Sequence, residues 1–326
     1  MPERRALVSG GCGFVGRHFV RALLDRGYTV TAVDDLSSGL APEAWPAFLR
    51  VSDSERKRFE LHKADFRDYT REVSADFDLI IHLAAVVGGR LVIEGDPLAV
   101  ATDLAIDATL FNWVVRAARL PRKVIYFSSS AVYPIDLQSR ERHQRLSEEL
   151  LDFKSAIGLP DMTYGWSKLS GEYLAHHAVE KYGLDVAIYR PFSGYGEDQD
   201  LSYPFPRIVR RAVDKESPLV VWGSGDQVRD FIHIDDVVAA VFATVDTLKP
   251  AQALNLGSGI ATSFRELAVQ AARAAGYDVD VVNDATKPEG VFWRVGQCDR
   301  MLASWKPKVS LEQGLERACA YQRAGS

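Results

Sequence analysis

Cysteine is scarce in this chain. Three of its 326 residues are Cys12, Cys298 and Cys319, far apart and odd in number. Such a set builds no disulfide framework and is expected for reduced thiols in a cytoplasmic protein. No apolar run reaches bilayer-spanning length, and the N-terminus enters a strand at once without a signal-type apolar region. No membrane contact is therefore expected. Basic blocks are missing beyond pairs such as Arg4-Arg5, and the net charge is −5 with a pI near 5.9, which leaves nucleic acid as a partner without support. The seven histidines show no ligand spacing, and the adjacent His176 and His177 diverge on a helix, so no metal is expected. Internal repeats and low-complexity tracts are also absent. What remains is an ordinary globular composition, 47% hydrophobic and 25% charged, enough for one large domain or two smaller parts sharing a core.

The first informative stretch is a strand over residues 5–9, followed by Gly10-Gly11-Cys12-Gly13-Phe14-Val15-Gly16 and a helix with an apolar stripe. A second strand, 29–33, closes on Asp34-Asp35. Glycines at 10, 13 and 16 allow a tight turn, close backbone approach to a pyrophosphate, and close packing of helix on strand. Asp34 falls about twenty residues on, where a carboxylate accepts hydrogen bonds from an adenosine ribose. That carboxylate would repel a 2′-phosphate, so the expected cofactor is NAD rather than NADP.

The alternation continues. A strand at 59–62 precedes Asp65-Phe66, which could cover an adenine ring. A buried strand ends at Leu83 and runs into Ala84-Ala85 and then Gly88-Gly89, small residues that admit a ligand. A long helix spans 96–118, and the strand 123–127 ends in Ser128-Ser129-Ser130. Strands and helices in this order mean an α/β fold with a doubly wound parallel sheet, in which ligands bind beyond the carboxyl ends of the strands. Residues 135–160 read as a polar surface loop with some helix.

Tyr164-Gly165-Trp166-Ser167-Lys168 places a tyrosine and a lysine one helical turn apart on one face. A lysine ammonium there favours the phenolate, which makes the phenol a usable acid or base near neutral pH. Ser129, delivered from a strand end, could hold a substrate oxygen against it. Arg229, in the Arg229-to-Asp236 segment, is a candidate phosphate clamp.

Together, and in this order, these motifs resemble the extended short-chain dehydrogenase/reductase family, in its NAD-dependent nucleotide-sugar epimerase/dehydratase branch. The resemblance covers essentially the whole chain. Trp222-Gly223-Ser224-Gly225, Val87-Gly88-Gly89 and Val132-Tyr133-Pro134 are locally similar to GDP-fucose synthase and GDP-mannose 3,5-epimerase. The resemblance implies a Rossmann domain over 1–175 with a return segment at about 218–248, and a smaller substrate-binding part over 176–217 and 249–326. It implies Ser129, Tyr164 and Lys168 as catalytic residues. Gly10, Gly13, Phe14, Val15, Gly16, Asp34, Asp35, Asp65, Phe66, Leu83, Ala84 and Ala85 would hold NAD, with Tyr164 and Lys168. A nucleotide sugar would meet Gly88, Gly89, Ser130, Ser193, Arg229 and Arg294. It further implies a homodimer formed through helices around 100–118 and 165–182.

The departures bear on the reaction. Those two relatives carry an acid/base cysteine where this chain has Ala131, and GDP-fucose synthase uses a histidine where this chain has Tyr203. Ser193 replaces an asparagine, and the family's helix asparagine has only Asp103 nearby. The expected activity is therefore inversion at C4 of a nucleoside-diphosphate hexose through a transient 4-keto sugar. A 3,5-epimerase, a 4-keto sugar reductase or dehydratase, and an NAD-binding regulator are the alternatives. The intact Ser129, Tyr164 and Lys168 set argues against the last, since a pure binder needs no phenolate.

Overall fold

The computed structural model describes residues 4–86 and 90–325. It opens with β1 (Arg5–Ser9), α1 (Phe14–Asp25), β2 (Thr29–Asp34), β3 (Phe59–Lys63), α2 (Phe66–Glu72) and β4 (Leu79–His82). Helices α3 (Arg90–Gly95), α4 (Pro97–Val100) and α5 (Thr102–Val114) lead to β5 (Lys123–Phe127), and α6 (Met162–Tyr182) leads to β6 (Val186–Pro191). Then come β7 (Ser193–Tyr195), α7 (Pro204–Val213), β8 (Leu219–Trp222), β9 (Val228–His233), α8 (Ile234–Thr244) and β10 (Ala253–Leu256). The chain finishes with β11 (Ala261–Ser263), α9 (Phe264–Ala274), β12 (Val281–Asp284), β13 (Trp293–Arg294), α10 (Asp299–Ser304) and α11 (Leu311–Ala324).

The seven-stranded sheet runs β10-β6-β5-β4-β1-β2-β3, with every pairing parallel. Its central strands are almost wholly buried and mostly apolar because helices cover both faces. On one face Phe19 and Leu23 of α1 meet Val237 and Val241 of α8. On the other, Phe66 of α2 and Leu110 and Val114 of α5 meet Ala175 and Ala178 of α6. A third core joins α7, α9 and α11 through Phe205, Ile208, Leu267, Ala271, Leu315 and Ala318. Against it lie two small sheets, β11-β9-β13 with β7 on β9, and β12-β8.

Two expectations change. The helix expected over 96–118 is α4 and α5 joined at Ala101, where the Leu104 N–H reaches back only to the Ala101 carbonyl, 3.1 Å. Asp96 caps α4 through the Ala99 N–H and Pro97 fixes its first turn, so α4 is set separately. The boundaries also move. β10 lies beyond residue 248 yet pairs with β6 and closes that edge of the large sheet, while β8, inside the expected return segment, pairs with β12. Residues 135–160 form the expected surface stretch with some helix, anchored at a few points. Leu146 and Leu151 pack with Val132, Tyr133, Leu169 and Phe192, and the stretch holds two 3₁₀ turns, Ile135–Gln138 and Glu148–Leu150. Its charged sequence hides these few apolar anchors.

The two helices beside the site, α5 and α6, approach closely at Gly171. A methyl there would fall inside the Tyr126 hydroxyl and press on the Asp107 carboxylate. Both neighbours are buried and cannot retreat. Gly171→Ala should therefore lose stability by about 1–3 kcal/mol, the usual cost of overpacking, despite the better helix propensity of alanine. Urea unfolding of the two proteins measures it, and an unchanged or raised midpoint would refute the close-packing account.

Candidate active site

The carboxyl ends of β1, β4, β5 and β6 open on one crevice. At β1 the glycine turn is shaped by crowding. Gly10 has φ +69°, and a side chain on it would meet the backbone of Ala84, while one on Gly16 would overlap the Gly10 carbonyl. Helix α1 then starts at Gly13, and among the described residues no side chain caps it and no acidic residue lies in its first turn. The N–H groups around Phe14 and Val15 are thus left for an anion. Asp34, at the end of β2, accepts from the N–H of Cys12 and of Leu36, each 2.9 Å, which ties the glycine turn to the second strand. Burial raises its carboxyl pKa, with those hydrogen bonds opposing. This bare, uncapped cradle beside a strand-end carboxylate fits a dinucleotide.

Not every expected contact is a side-chain contact. Phe66 is buried against His82 and Trp113, so its ring belongs to the core and cannot cover an adenine. Asp65 caps α2 through the Arg67 N–H and pairs with the Arg67 guanidinium. Asp35 is exposed and accepts from the Ser37 N–H. Leu83 and Ala84 place their N–H groups 3.3 and 3.4 Å from the Ser9 hydroxyl, and Ala85 follows at the crevice wall. Gly88 and Gly89 lie outside the described residues.

Ser129 follows β5 and accepts from the Ala131 N–H, 3.1 Å, which starts a short 3₁₀ turn. Tyr164, in the first turn of α6, lines the same cavity as Ser129, and Ser129 lowers the phenol's pKa. One turn on, Lys168 is buried with its ammonium 3.5 Å from the Asp107 carboxylate. Burial opposes the lysine charge, but Asp107, Tyr164 and Asp103 outweigh it and raise the Lys168 pKa. For Tyr164 the balance falls the other way. Burial raises the phenol above its ordinary pKa, and Lys168 and Ser129 only partly offset it. Lys168 therefore acts in the expected direction, while burial, with Asp103 and Asp107, holds the phenol above its ordinary pKa.

A cavity of about 490 Å³ opens from this set, the size of a small-ligand site. Ser129, Ser130, Tyr164, Ser193, Tyr203, Arg229 and Arg294 are among the residues that line it. Arg229 on β9 and Arg294 on β13 are register partners on adjacent strands. Arg294 also holds Asp161 and Gln138, each at 2.7 Å.

Two buried carboxylates escaped the sequence reading. Asp107 on α5 accepts from His82, Tyr126 and Lys168. Glu172 on α6 accepts from Ser128 and takes a bidentate contact, 2.8 and 2.6 Å, from Arg190. Each had a signal. Asp107 interrupts the apolar stripe of Ile106, Leu110 and Val114, and Glu172 continues the four-residue spacing of Tyr164 and Lys168.

A dinucleotide cradle leading to a serine, tyrosine and lysine at a ligand-sized cavity is the arrangement of a nucleotide-dependent enzyme. The sequence model of the NAD dependent epimerase/dehydratase family matches residues 6–257, and the chain belongs to that family. It is 31% identical over 249 residues to a putative GDP-L-fucose synthase 2 of Oryza sativa subsp. japonica, covering 73% of this chain and 69% of that one. It is 27% identical to a putative UDP-glucose 4-epimerase of Methanocaldococcus jannaschii, over 97% of this chain and 98% of that one. Among solved structures it is similar to a point mutant of UDP-glucuronic acid 4-epimerase from Bacillus cereus, in complex with UDP-4-deoxy-4-fluoro-glucuronic acid and NAD. The TM-score is 0.81 at 26% identity, covering 99% of this chain and 100% of that chain. The cofactor of this protein is NAD.

Tyr164→Phe removes only the ionisable oxygen. NAD binding is expected to survive while turnover falls by roughly two or more orders of magnitude, the scale of general acid–base catalysis. Single-turnover kinetics with a parallel NAD titration measure both, and near-native turnover would remove Tyr164 from the chemistry.

Proposed function

We propose that the protein inverts C4 of a nucleoside-diphosphate hexose. The observation that carries this reading is the composition of the cavity end around Tyr164. Ser129 and Tyr164 line it together, and in this reading their hydroxyls hold one sugar oxygen between them. The residues of the glycine cradle would hold NAD, which would supply a reversible hydride acceptor for the sugar carbon. Tyr164 takes the hydroxyl proton and later returns it, Ser129 fixes the oxygen, and Lys168 supplies the positive charge that makes the phenol's proton removable. Arg229 and Arg294 answer the charge of the nucleotide diphosphate, with Ser130 and Ser193 beside the sugar. Gly10, Gly13, Gly16 and the start of α1 take the cofactor's phosphates, and Asp34 its adenosine ribose.

Inversion at C3 or C5 would instead need a proton to leave carbon on one face and return on the other, through two acid/base groups flanking the ring. Ala131 offers no proton. Tyr203 is half-buried in the cavity wall, and desolvation there raises its phenol further above the neutral range. Inversion at C4 needs no such pair, because the returning hydride carries the stereochemical change. The working division is a Rossmann part that binds NAD and a smaller part, built on the small sheets, that binds the nucleotide sugar.

The experiment is turnover of a panel of nucleotide hexoses in heavy water, followed by NMR and by absorbance. Conversion is expected with no net appearance or loss of NADH, and with the C3 and C5 protons unexchanged. Deuterium at C3 or C5 at a rate comparable with turnover would replace this reading by a 3,5-epimerase. Stoichiometric NADH or NADPH consumption would replace it by a reductase, the activity class of the fucose synthase relative.

The same reading includes a homodimer through α5 and α6. It is supported by large apolar side chains left exposed along them, Leu104 on α5 and Trp166 and Tyr173 on α6. Sedimentation should give twice the 36.1 kDa chain mass. Tyr173→Glu should restore the monomer, and a monomeric wild-type protein would refute the assembly.

A further inference from the structure

Helix α5 carries two carboxylates one turn apart, Asp103 and Asp107, both fully buried. Their four-residue spacing puts both on one face. Asp107 is fully engaged by His82, Tyr126 and Lys168. Asp103 is not. Its Oδ1 accepts from the Val86 N–H at 2.6 Å, just beyond the loop at the end of β4, while its Oδ2 has no hydrogen-bond partner among the described residues. A buried carboxylate oxygen without a partner is costly, and here it lies within electrostatic reach of both Lys168 and Tyr164.

The charges around it do not balance. Asp107 contributes one negative charge from α5, and Lys168 contributes one positive charge from α6. Tyr126 of β5 keeps its proton, because burial raises its phenol, and Tyr164 of α6 adds a further negative charge whenever it acts as the base. His82 of β4 is driven toward its neutral form by burial. Asp107 and Lys168 therefore satisfy each other, and Asp103 is surplus. What the pocket lacks is a second cation, and the oxidised nicotinamide ring is a cation that becomes neutral on reduction.

We propose that Asp103 is the counter-charge for the oxidised nicotinamide, a positioning residue whose unpartnered oxygen favours NAD⁺ over NADH. This rests on the reading that the cofactor is NAD and must be oxidised at the start of each turnover, not on which carbon is inverted. A catalyst that returns its own electrons gains from holding the oxidised form. A net reductase would be hindered by it.

The test is equilibrium binding of NAD⁺ and of NADH to the purified, cofactor-stripped protein, by calorimetry and nicotinamide fluorescence at pH 8. Asp103→Asn keeps the side-chain shape and an oxygen for the Val86 N–H. It should weaken NAD⁺ about tenfold, or about 1.4 kcal/mol, and leave NADH within twofold. Equal losses for both forms would mark a merely structural role and overturn the inference, as would no change in either. The wild-type protein gives a second measurement that needs no variant. Burial raises the Asp103 carboxyl to about 6, so its charge is lost as pH falls from 8 to 5. The NAD⁺ preference should shrink over that range in the wild type and stay flat in Asp103→Asn. The Asp34 carboxyl is also raised, but it sits at the adenosine end of the cradle and acts alike on both forms, so it cancels in the ratio. A wild-type preference that does not move with pH would overturn the proposal. Failure of either form to bind the wild-type protein would overturn the cofactor assignment beneath it.

Discussion

The carboxylate of Asp107 is a charge held entirely inside the protein, where it survives only because three neighbours reach it. His82 comes from β4, Tyr126 from β5 and Lys168 from α6, so one group on α5 ties four elements together. The chain of contacts runs further. On its other ring nitrogen His82 meets the Ser9 hydroxyl at 2.8 Å, one residue before the glycine turn. With Asp107 ionised, His82 donates through Nε2, and its Nδ1 accepts from Ser9. Losing one partner of such a buried pair costs about 3–5 kcal/mol, because the remaining charge is stranded. The position of the active-site lysine, the tautomer of His82 and the seat of the glycine turn thus share one origin.

A second buried pair performs the same service at the next strand. Arg190, at the end of β6, is clamped by Glu172 and also reaches the Tyr133 hydroxyl and the Glu148 carbonyl. It fixes the floor beneath Phe192 and Ser193 and binds the 135–160 stretch to the sheet. On the far side, Asp198 takes Arg17 and His18 of α1, joining the cofactor helix to the segment that follows β7. Three ion pairs with buried side chains therefore hold the cofactor and sugar sides of the crevice in fixed relation. For chemistry at a single carbon, that fixed geometry is worth more than any one contact, since the barrier depends on reacting groups arriving already oriented.

Much of this was written locally. The glycines at 10, 13 and 16, the acid at 34, the serines after β5 and the Tyr164–Lys168 spacing are short-range patterns. The backbone demands behind them, a tight turn, a strand end, one helical turn, act over a few residues, so the sequence determined the parallel sheet and the crevice position by itself. Only the tertiary structure decided which face Phe66 takes, where β10 and β8 belong, and that the charged 135–160 stretch is anchored. It also decided the acidity of Tyr164. Proton affinity follows from desolvation and from charges brought together through space, and the carboxylate that shares the Lys168 ammonium lies 61 residues away in the chain. No local pattern carries that distance, which is why the short-range motifs were legible and their electrostatics were not.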